Sequence, residues 1–230
     1  LLPLVPACNE EQWFVLSCKF DKQAAPVKVL YSALDDFFGK WAEGADTNFN
    51  PALMGSFREV CECICSTIDD DGFQQLSELV PNFTKRYPQL VKRTSSPDQV
   101  VVSSMDKVGS AKTRLQNLIH VLFKSLCSAG QPVLLSLDDL QWCDSFVLEG
   151  LTEFIVSYMH SEAGESNNRL RRGLLLAGTY RSNEVPDGHP FIESINCLKK
   201  SQRANITMLT PGELSETDVT RLISSKLCLP

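Results

Sequence analysis

Two adjacent carboxylates, Asp138 and Asp139, directly follow a run of bulky apolar residues that begins at Val133. A short apolar run bounded by polar residues is typical of a buried strand in a parallel sheet. In open α/β sheets, ligands bind at the carboxyl ends of the strands. The pattern therefore predicts that both acids lie where such a sheet would bind a ligand.

An acidic pair in this position suits the chemistry of phosphate groups. In phosphate-handling α/β proteins, an apolar strand that ends in Asp supplies a carboxylate to the shell of a Mg²⁺ ion, usually through water. The metal bridges the β- and γ-phosphates and neutralises the charge that develops there. A second acid beside the first can orient or deprotonate the attacking water. The alternative is that the pair only caps a helix or starts a turn, as Asp residues often do.

A basic residue, Arg181, ends the next strand-like run, GLLLAGTYR at 173–181. One strand beyond the acids, a positive side chain can reach a γ-phosphate, and groups aimed at developing charge are often the largest catalytic contribution. Arg181 could equally be a surface residue or a partner in a salt bridge. The combination is more specific than either motif alone, because one amphipathic helix separates a strand ending in two acids from a strand ending in Tyr-Arg.

Strand-like and helix-like patterns alternate along the chain. Apolar runs predict strands at 12–20, 133–137, 173–181 and 204–210, and helical spacing predicts helices at 27–44, from Pro51, within 71–90, from Ala111 to Gly130, from Asp144 to Met159, near 189–200 and from Ser215 to Leu227. We expect 91–110 to be a loop, because it is rich in Ser and turn residues. The alternation predicts an α/β fold in which helices flank a parallel sheet on both faces.

Four segments resemble one family. They are LLSLDDLQWCDSFVLEGL at 134–151, LLLAGTYRSNEVPDGHPF at 174–191, FVLSCKFDKQAAPVKVLYSALDDFF at 14–38 and LTPGELSETDVTRLISSKLCLP at 209–230. The family is a predicted ATPase module of the AAA and STAND branches of P-loop NTPases, sometimes described as origin-recognition-like. It occurs in multidomain signalling proteins. The resemblance is patchy only between Gly44 and Lys107, and it implies an ATPase core over 1–210 and the start of a helical lid over 211–230.

The resemblance also implies ligands and roles for individual residues. The ligands would be ATP and Mg²⁺. Asp138 would hold the metal through water, Asp139 would stand at the catalytic-base position, and Arg181 would lie in the sensor region near the γ-phosphate. Thr179 and Asn183 would be their neighbours in the nucleotide-binding site.

Several residues depart from the pattern of this family. Asp139 stands where many AAA enzymes have Glu, whose side chain reaches further, and this favours a slow switch over rapid turnover. Cys18 replaces a Gly, Cys143 replaces a small residue, and Ser136 interrupts the apolar strand. We expect these three changes to be tolerated.

A P-loop NTPase also needs a glycine-rich loop, GxxxxGK[ST], whose N–H groups and Lys hold the phosphates, and no segment of this chain matches it. The nearest sequence, DKVGSAKTRL at 106–115, has Asp106 and Ala111 where Gly is required, and its lysine lies only 26 residues before the first acid. FFGKW at 37–41 falls in a helical pattern. The resemblance implies that the loop lies upstream of Leu1, so that the first strand and the loop are missing and this chain has little or no ATPase activity.

The overall charge and the distribution of apolar residues argue against two classes of partner. The chain has 22 basic and 28 acidic residues and a net charge of −6, whereas non-specific binding to nucleic acid needs a positive field. We interpret RLRR at 169–172 as a solvated loop. No apolar stretch approaches the ~20 residues of a membrane span. The expected partners are instead a nucleotide, neighbouring domains of a longer chain and, through self-association, a second copy of the chain.

The nine cysteines cluster only in the sequence CECIC. Metal sites usually pair CxxC with a second CxxC or with His, so we interpret Cys61, Cys63 and Cys65 as residues of an ordinary helix. Free thiols suit a reducing cytoplasm. In that compartment the glycosylation sequons at Asn82 and Asn205 would be unused.

Two classes of function follow from these patterns. The first is an ATP-binding and ATP-hydrolysing switch module of a larger signalling protein. The second is a non-catalytic scaffold or interaction module, which the absent loop and the Cys and Ser departures favour. A hydrolase with a Cys or Ser nucleophile finds little support, since no motif connects His120, His160 or His189 to a nucleophile.

Overall fold

A three-stranded parallel sheet forms the centre of the structure. A computed structural model describes residues 13–46, 51–86, 111–128, 130–161, 173–202, 204–213 and 215–227. The strands occur in the order β1-β2-β3 and are Phe14–Lys19, Val133–Asp138 and Leu174–Gly178. Helices flank this sheet, so the predicted α/β class is confirmed.

The helices occur where the sequence predicted them. In the described ranges they are α1 (Pro26–Asp46), α2 (Pro51–Thr67), α3 (Asp70–Leu79), α4 (Pro81–Arg86), α5 (Ala111–Ser128), α6 (Ser145–Ser161), α7 (Pro190–Ser201) and α8 (Glu216–Leu227). The connection from β1 to β2 contains α1 to α5, and the connection from β2 to β3 contains α6. None of the described helices combines the length and the apolar character that a bilayer crossing requires. The predicted loop at 91–110 lies outside the described residues.

Short polar side chains and glycine mark the helix ends. Asp144 accepts a hydrogen bond from the N–H of Val147 at 2.9 Å, so it caps the helix that the sequence predicted to begin there. Asp69 accepts in the same way from Gly72 at 2.9 Å. Such caps satisfy N–H groups that lack partners in the first helical turn. Helix α5 ends shortly before Gly130, whose φ of 73° lies in the left-handed region that favours glycine.

Strand β2 is the buried centre of the sheet. Its residues from Val133 to Leu137 are at most 5% exposed. A strand buried on both faces reads as a continuous apolar run rather than an alternating one, which explains the sequence pattern there. The apolar face of α5, including Leu118 and Leu122, is buried as well, and α5 packs against α6. The strand that carries the acids is therefore held by packed side chains on both faces.

Strand β3 is less buried than β2. The prediction of a further strand at 204–210 is wrong. Leu175 and Leu176 of β3 are 40% and 37% exposed, and in the described residues β3 pairs with β2 alone. The stretch 204–210 contains no strand in the structure, and both Met208 and Leu209 are exposed. A strand needs a neighbour to receive its backbone hydrogen bonds, and no described strand pairs with this stretch.

Replacing Gly178 with alanine tests the close packing at the end of β3. A Cβ at Gly178 would lie 2.5 Å from Cδ1 of Leu140, a side chain that is only 2% exposed. Because overpacking a core usually costs about 1–3 kcal/mol, we expect Gly178→Ala to lower the free energy of unfolding by that amount in urea denaturation. The matched control is Gly173→Ala, since nothing lies within 4 Å of a Cβ there. Equal stability of the two variants would contradict the packing described here.

Candidate functional site

The two predicted acids lie at the carboxyl end of β2. Asp138 is the last residue of the strand. Asp139 has φ 59° and ψ 48°, a left-handed conformation that Asp tolerates better than most residues. A short 3₁₀ turn, Leu140–Trp142, follows directly. The sharp turn keeps the Asp139 carboxylate at the edge of the sheet instead of letting β2 continue.

Thr179, the first residue after β3, contacts both acids. Its hydroxyl donates a hydrogen bond to Oδ1 of Asp138 and accepts one from the N–H of Asp139 at 3.2 Å. The register makes this possible, because Leu137 pairs with Gly178 and the next residue of each strand follows alongside. The hydrogen bond from Thr179 is the main cause that lowers the pKa of Asp138, while partial burial opposes it. Asp138 is therefore a carboxylate at neutral pH.

Lys19, the last residue of β1, reaches the acids from the opposite side. Its register partner is Asp138. Its Nζ lies 3.2 Å from Oδ2 of Asp138 and 3.5 Å from Oδ2 of Asp139. Both carboxylates raise the pKa of Lys19, and Asp138 is the larger cause. Sequence reasoning missed Lys19, although its position next to the end of the strand predicted at 12–20 was a usable signal.

Arg181 lies at the same edge of the sheet, beside Asp139. Its Nε is 3.9 Å from Oδ1 of Asp139, and its Nη1 is 3.3 Å from Oε1 of Glu184. The salt-bridge alternative is therefore what the structure shows for this side chain. The side chain is 62% exposed, so both ion pairs are weak by the usual standard of surface pairs. The guanidinium is close enough to Asp139 to contact a ligand bound at the acids.

Gln141 connects Asp139 to the backbone of Arg181. It is only 4% exposed. Its Nε2 donates to Oδ1 of Asp139 at 3.0 Å, and its Oε1 accepts from the N–H of Arg181 at 3.2 Å. Its own carbonyl oxygen lies 3.2 Å from Nε2 of His189. A buried amide with these partners holds the Asp139 side chain in one place. Sequence reasoning did not assign this role, although Gln141 stands in the quoted motif DDLQW.

Asn183 and the histidines have other surroundings. Asn183 is exposed on the 3₁₀ turn after Arg181, and within the described residues its side chain makes no hydrogen bond to the acids. His189 caps α7, since its Nδ1 accepts from the N–H of Phe191 at 3.1 Å. The ring of His120 packs edge-on against Phe154. The side chain of His160 lies outside the described residues.

Two of the unusual residues noted in the sequence, Cys18 and Cys143, are buried near the acids at 3% and 4% exposure. Burial raises the pKa of the Cys18 thiol to about 12 and raises that of Cys143 as well. Both are therefore neutral thiols that pack as small apolar groups. In α2, Cys61 is buried while Cys63 and Cys65 are half-buried.

The acids could hold a divalent cation only with help from further ligands. In the described part of the chain, no group of three or more His, Cys, Asp or Glu side chains is arranged to hold a metal ion. Mg²⁺ is commonly bound through one or two carboxylates, with waters and substrate phosphates completing its shell. The side chain of Asp138 is 40% exposed, which leaves room for such a shell. The geometry fits a metal that arrives together with a phosphate group.

Comparison of this chain with protein-family models, curated proteins and solved structures finds no match. The resemblance to the AAA and STAND ATPase module therefore stays a prediction that rests on the motifs. The structure adds an independent fact, which is that Asp138, Asp139, Thr179 and Arg181 meet at one edge of a parallel sheet.

Replacing Thr179 with Val removes the hydroxyl and keeps the shape of the side chain. We expect Thr179→Val to lower the free energy of unfolding by about 1 kcal/mol at neutral pH, because a partly exposed carboxylate and one N–H lose a partner. Thr179→Ser, which keeps the hydroxyl, should stay close to the wild type. The measurement is urea denaturation.

The same pair of variants predicts a pH dependence. A lowered pKa contributes stability only while the carboxylate is ionised, and that contribution is lost as the pH falls through the pKa in the folded protein. The difference between wild type and Thr179→Val should therefore shrink as the pH falls below the ordinary range of Asp. A difference that stays constant while the pH falls through the pKa of Asp138 in the folded protein would contradict the assignment.

Proposed function

We propose that this chain is the core of an ATP-binding switch module that hydrolyses ATP slowly within a larger signalling protein. The observation that carries the proposal is the meeting of two carboxylates and a guanidinium at the carboxyl end of adjacent parallel strands. In this assignment Asp138 binds Mg²⁺ through water, Asp139 orients the attacking water, and Arg181 contacts the γ-phosphate.

The contacts of Asp138 support a role on the metal. Its Oδ1 accepts from the Thr179 hydroxyl, which fixes the carboxylate plane. Its Oδ2 faces the Lys19 ammonium at 3.2 Å, so this oxygen already contacts a cation. An ionised carboxylate with one oxygen held by the protein and the other directed at a positive charge is suited to hold a hydrated Mg²⁺ ion.

The contacts of Asp139 support a role toward water. Its Oδ1 is held by Gln141 at 3.0 Å, and its Oδ2 lies 3.5 Å from Lys19. A general base must be positioned within hydrogen-bond reach of the proton it accepts. The Asp139 side chain is shorter than Glu and reaches less far, which favours slow hydrolysis and a nucleotide state that neighbouring domains could read.

The proposal requires a phosphate loop that no segment of this chain supplies. Polypeptide outside the chain would have to carry it. The exposed edge of β3 supports this requirement, since in the described residues β3 pairs on one side only and leaves Leu175 and Leu176 exposed. Parallel strands are normally buried on both faces, and the unpaired groups of an edge strand can pair with another strand. A further strand beside β3 would also give the stretch 204–210 the neighbour that it lacks.

A second candidate is a non-catalytic interaction module. Helix α8 supports it, because Val219, Leu222 and Ile223 are 40%, 51% and 49% exposed and share one face of the helix. Exposed apolar patches commonly mark surfaces that bind other proteins. One inexpensive observation distinguishes the two candidate functions. If the bases that encode the residues before Leu1 specify GxxxxGK[ST], the ATPase is favoured, and if they do not, the interaction module is favoured.

Catalysis is tested by Asp139→Asn in a version of the protein extended upstream to include that loop. Asn tolerates the left-handed backbone at this position as Asp does, so the change removes the base and keeps the turn. We expect ATP turnover to fall about 100-fold, the effect typical of losing a general base. The control is Asp36→Asn on the exposed surface of α1. If Asp139→Asn hydrolyses ATP as fast as the control, the catalytic role of Asp139 is wrong.

The chain of 230 residues alone should behave differently from the extended version. Without backbone N–H groups to surround the phosphates, most of the binding energy for a triphosphate is absent. We expect isothermal titration with ATP and Mg²⁺ to show affinity weaker than micromolar and a turnover assay to show little or no hydrolysis. Micromolar binding by this chain would mean that it holds the nucleotide in another way.

A further inference from the structure

The charges of the two acids at the edge of the sheet are partly neutralised by basic side chains of the protein itself. Asp138 and Asp139 carry two negative charges, and Lys19 and Arg181 bring two positive groups within 4 Å of them. The Arg181 guanidinium is shared with Glu184. Of these two basic residues, Lys19 therefore makes the closer contacts to the acids, since its Nζ lies within 3.5 Å of both.

The backbone brings Lys19 to this position. Lys19 and Asp138 are directly paired in the parallel register of β1 and β2, and the N–H of Phe20 donates to the carbonyl oxygen of Asp138 at 3.0 Å. The ends of the two strands are thus tied together, and the lysine needs only its own side chain to reach the acids. Any rearrangement of β1 and β2 would change the distance between Lys19 and Asp138, so the pairing of the two strands determines this contact.

The contact is nevertheless easy to break. The Lys19 side chain is 71% exposed, and exposed ion pairs exchange readily with water and salt. Lys19 also faces the oxygen that a metal would need, because Oδ1 of Asp138 is taken by Thr179 and Oδ2 is the atom that contacts Nζ. A lysine ammonium and a hydrated divalent cation cannot both hold the same oxygen at close range without repelling each other.

We propose that Lys19 is a tethered counter-ion of the acidic pair, which occupies the place of the divalent cation and must leave it before the cation binds. This inference rests on the proposed function for the identity of the cation and adds a regulatory step to it. Without nucleotide, Lys19 keeps both carboxylates in position and opposes binding of the metal alone. When the metal arrives together with a triphosphate, the phosphates bring negative charge to the site. The released Lys19 ammonium can then contact a phosphate.

The test compares Mn²⁺ binding by the chain as it exists and by three lysine variants, with free Mn²⁺ measured by electron paramagnetic resonance. Lys19→Met removes the competing charge, and we expect it to bind Mn²⁺ about five- to ten-fold more tightly at low salt. Lys19→Arg keeps the charge and should bind like the wild type. Lys28→Met removes an exposed lysine of α1 and should also leave the affinity unchanged.

The outcomes separate this inference from the proposed function. If the wild type binds Mn²⁺ and Lys19→Met binds it no more tightly, Lys19 is not a competitor, while the metal site stands. If neither protein binds Mn²⁺ at millimolar concentration, with or without ATP, the inference is overturned, because Lys19 then has no metal to compete with, and the proposed function is decided separately by the upstream-extended protein. A gain in affinity that Lys28→Met shares would also overturn it, because the effect would then come from net charge.

A second measurement uses the wild-type protein and does not depend on any variant folding. Acetylation of lysines by an amine-selective reagent, followed residue by residue with mass spectrometry, reports how accessible and reactive each lysine amine is. We expect saturating Mn²⁺ to accelerate modification of Lys19 several-fold and to leave Lys28 unchanged. A Lys19 rate that does not respond to Mn²⁺ under conditions where Mn²⁺ is bound would overturn the proposal.

Discussion

The carboxylate of Asp138 ties together the carboxyl ends of three strands. On one side it meets Lys19 at the end of β1, and on the other it accepts from Thr179 after β3. The sheet register enforces both contacts, since Asp138 pairs with Lys19 and the neighbouring Leu137 pairs with Gly178. The arrangement of Asp139, Gln141 and Arg181 depends on this junction, because these residues follow directly from the strands that it joins.

The sequence predicted most of the fold because most of its signals are local. The apolar run of β2, the helix start at Asp144 and the helix end near Gly130 each depend on a few neighbouring residues, and the structure confirms them. The predicted strand at 204–210 was wrong for a reason that is not local. Its residues have the apolar character of a strand, but a strand forms only beside another strand, and none of the described strands pairs with it.

The candidate site likewise contains some residues that the sequence identified and others that it did not. Asp138, Asp139 and Arg181 were identified because each ends a strand-like run, and Thr179 because it stands in a motif that resembles a family. Lys19 was missed, since its contact with Asp138 spans 119 residues of sequence and depends on which strands are neighbours. Gln141 was missed because a buried amide shows its partners only in three dimensions. Asn183 is the opposite case, a motif residue that is exposed and makes no hydrogen bond to the acids within the described residues.

The central claim is that the acids at the end of β2 meet a divalent cation carried by a triphosphate. The most direct test is a crystal structure of the upstream-extended protein with Mn²⁺ and a non-hydrolysable ATP analogue, in which anomalous scattering locates the manganese. The account predicts one manganese peak between the γ-phosphate and Asp138, separated from the carboxylate by water, with the Lys19 ammonium moved off Asp138. A nucleotide bound with its metal remote from Asp138 and Asp139 would contradict it.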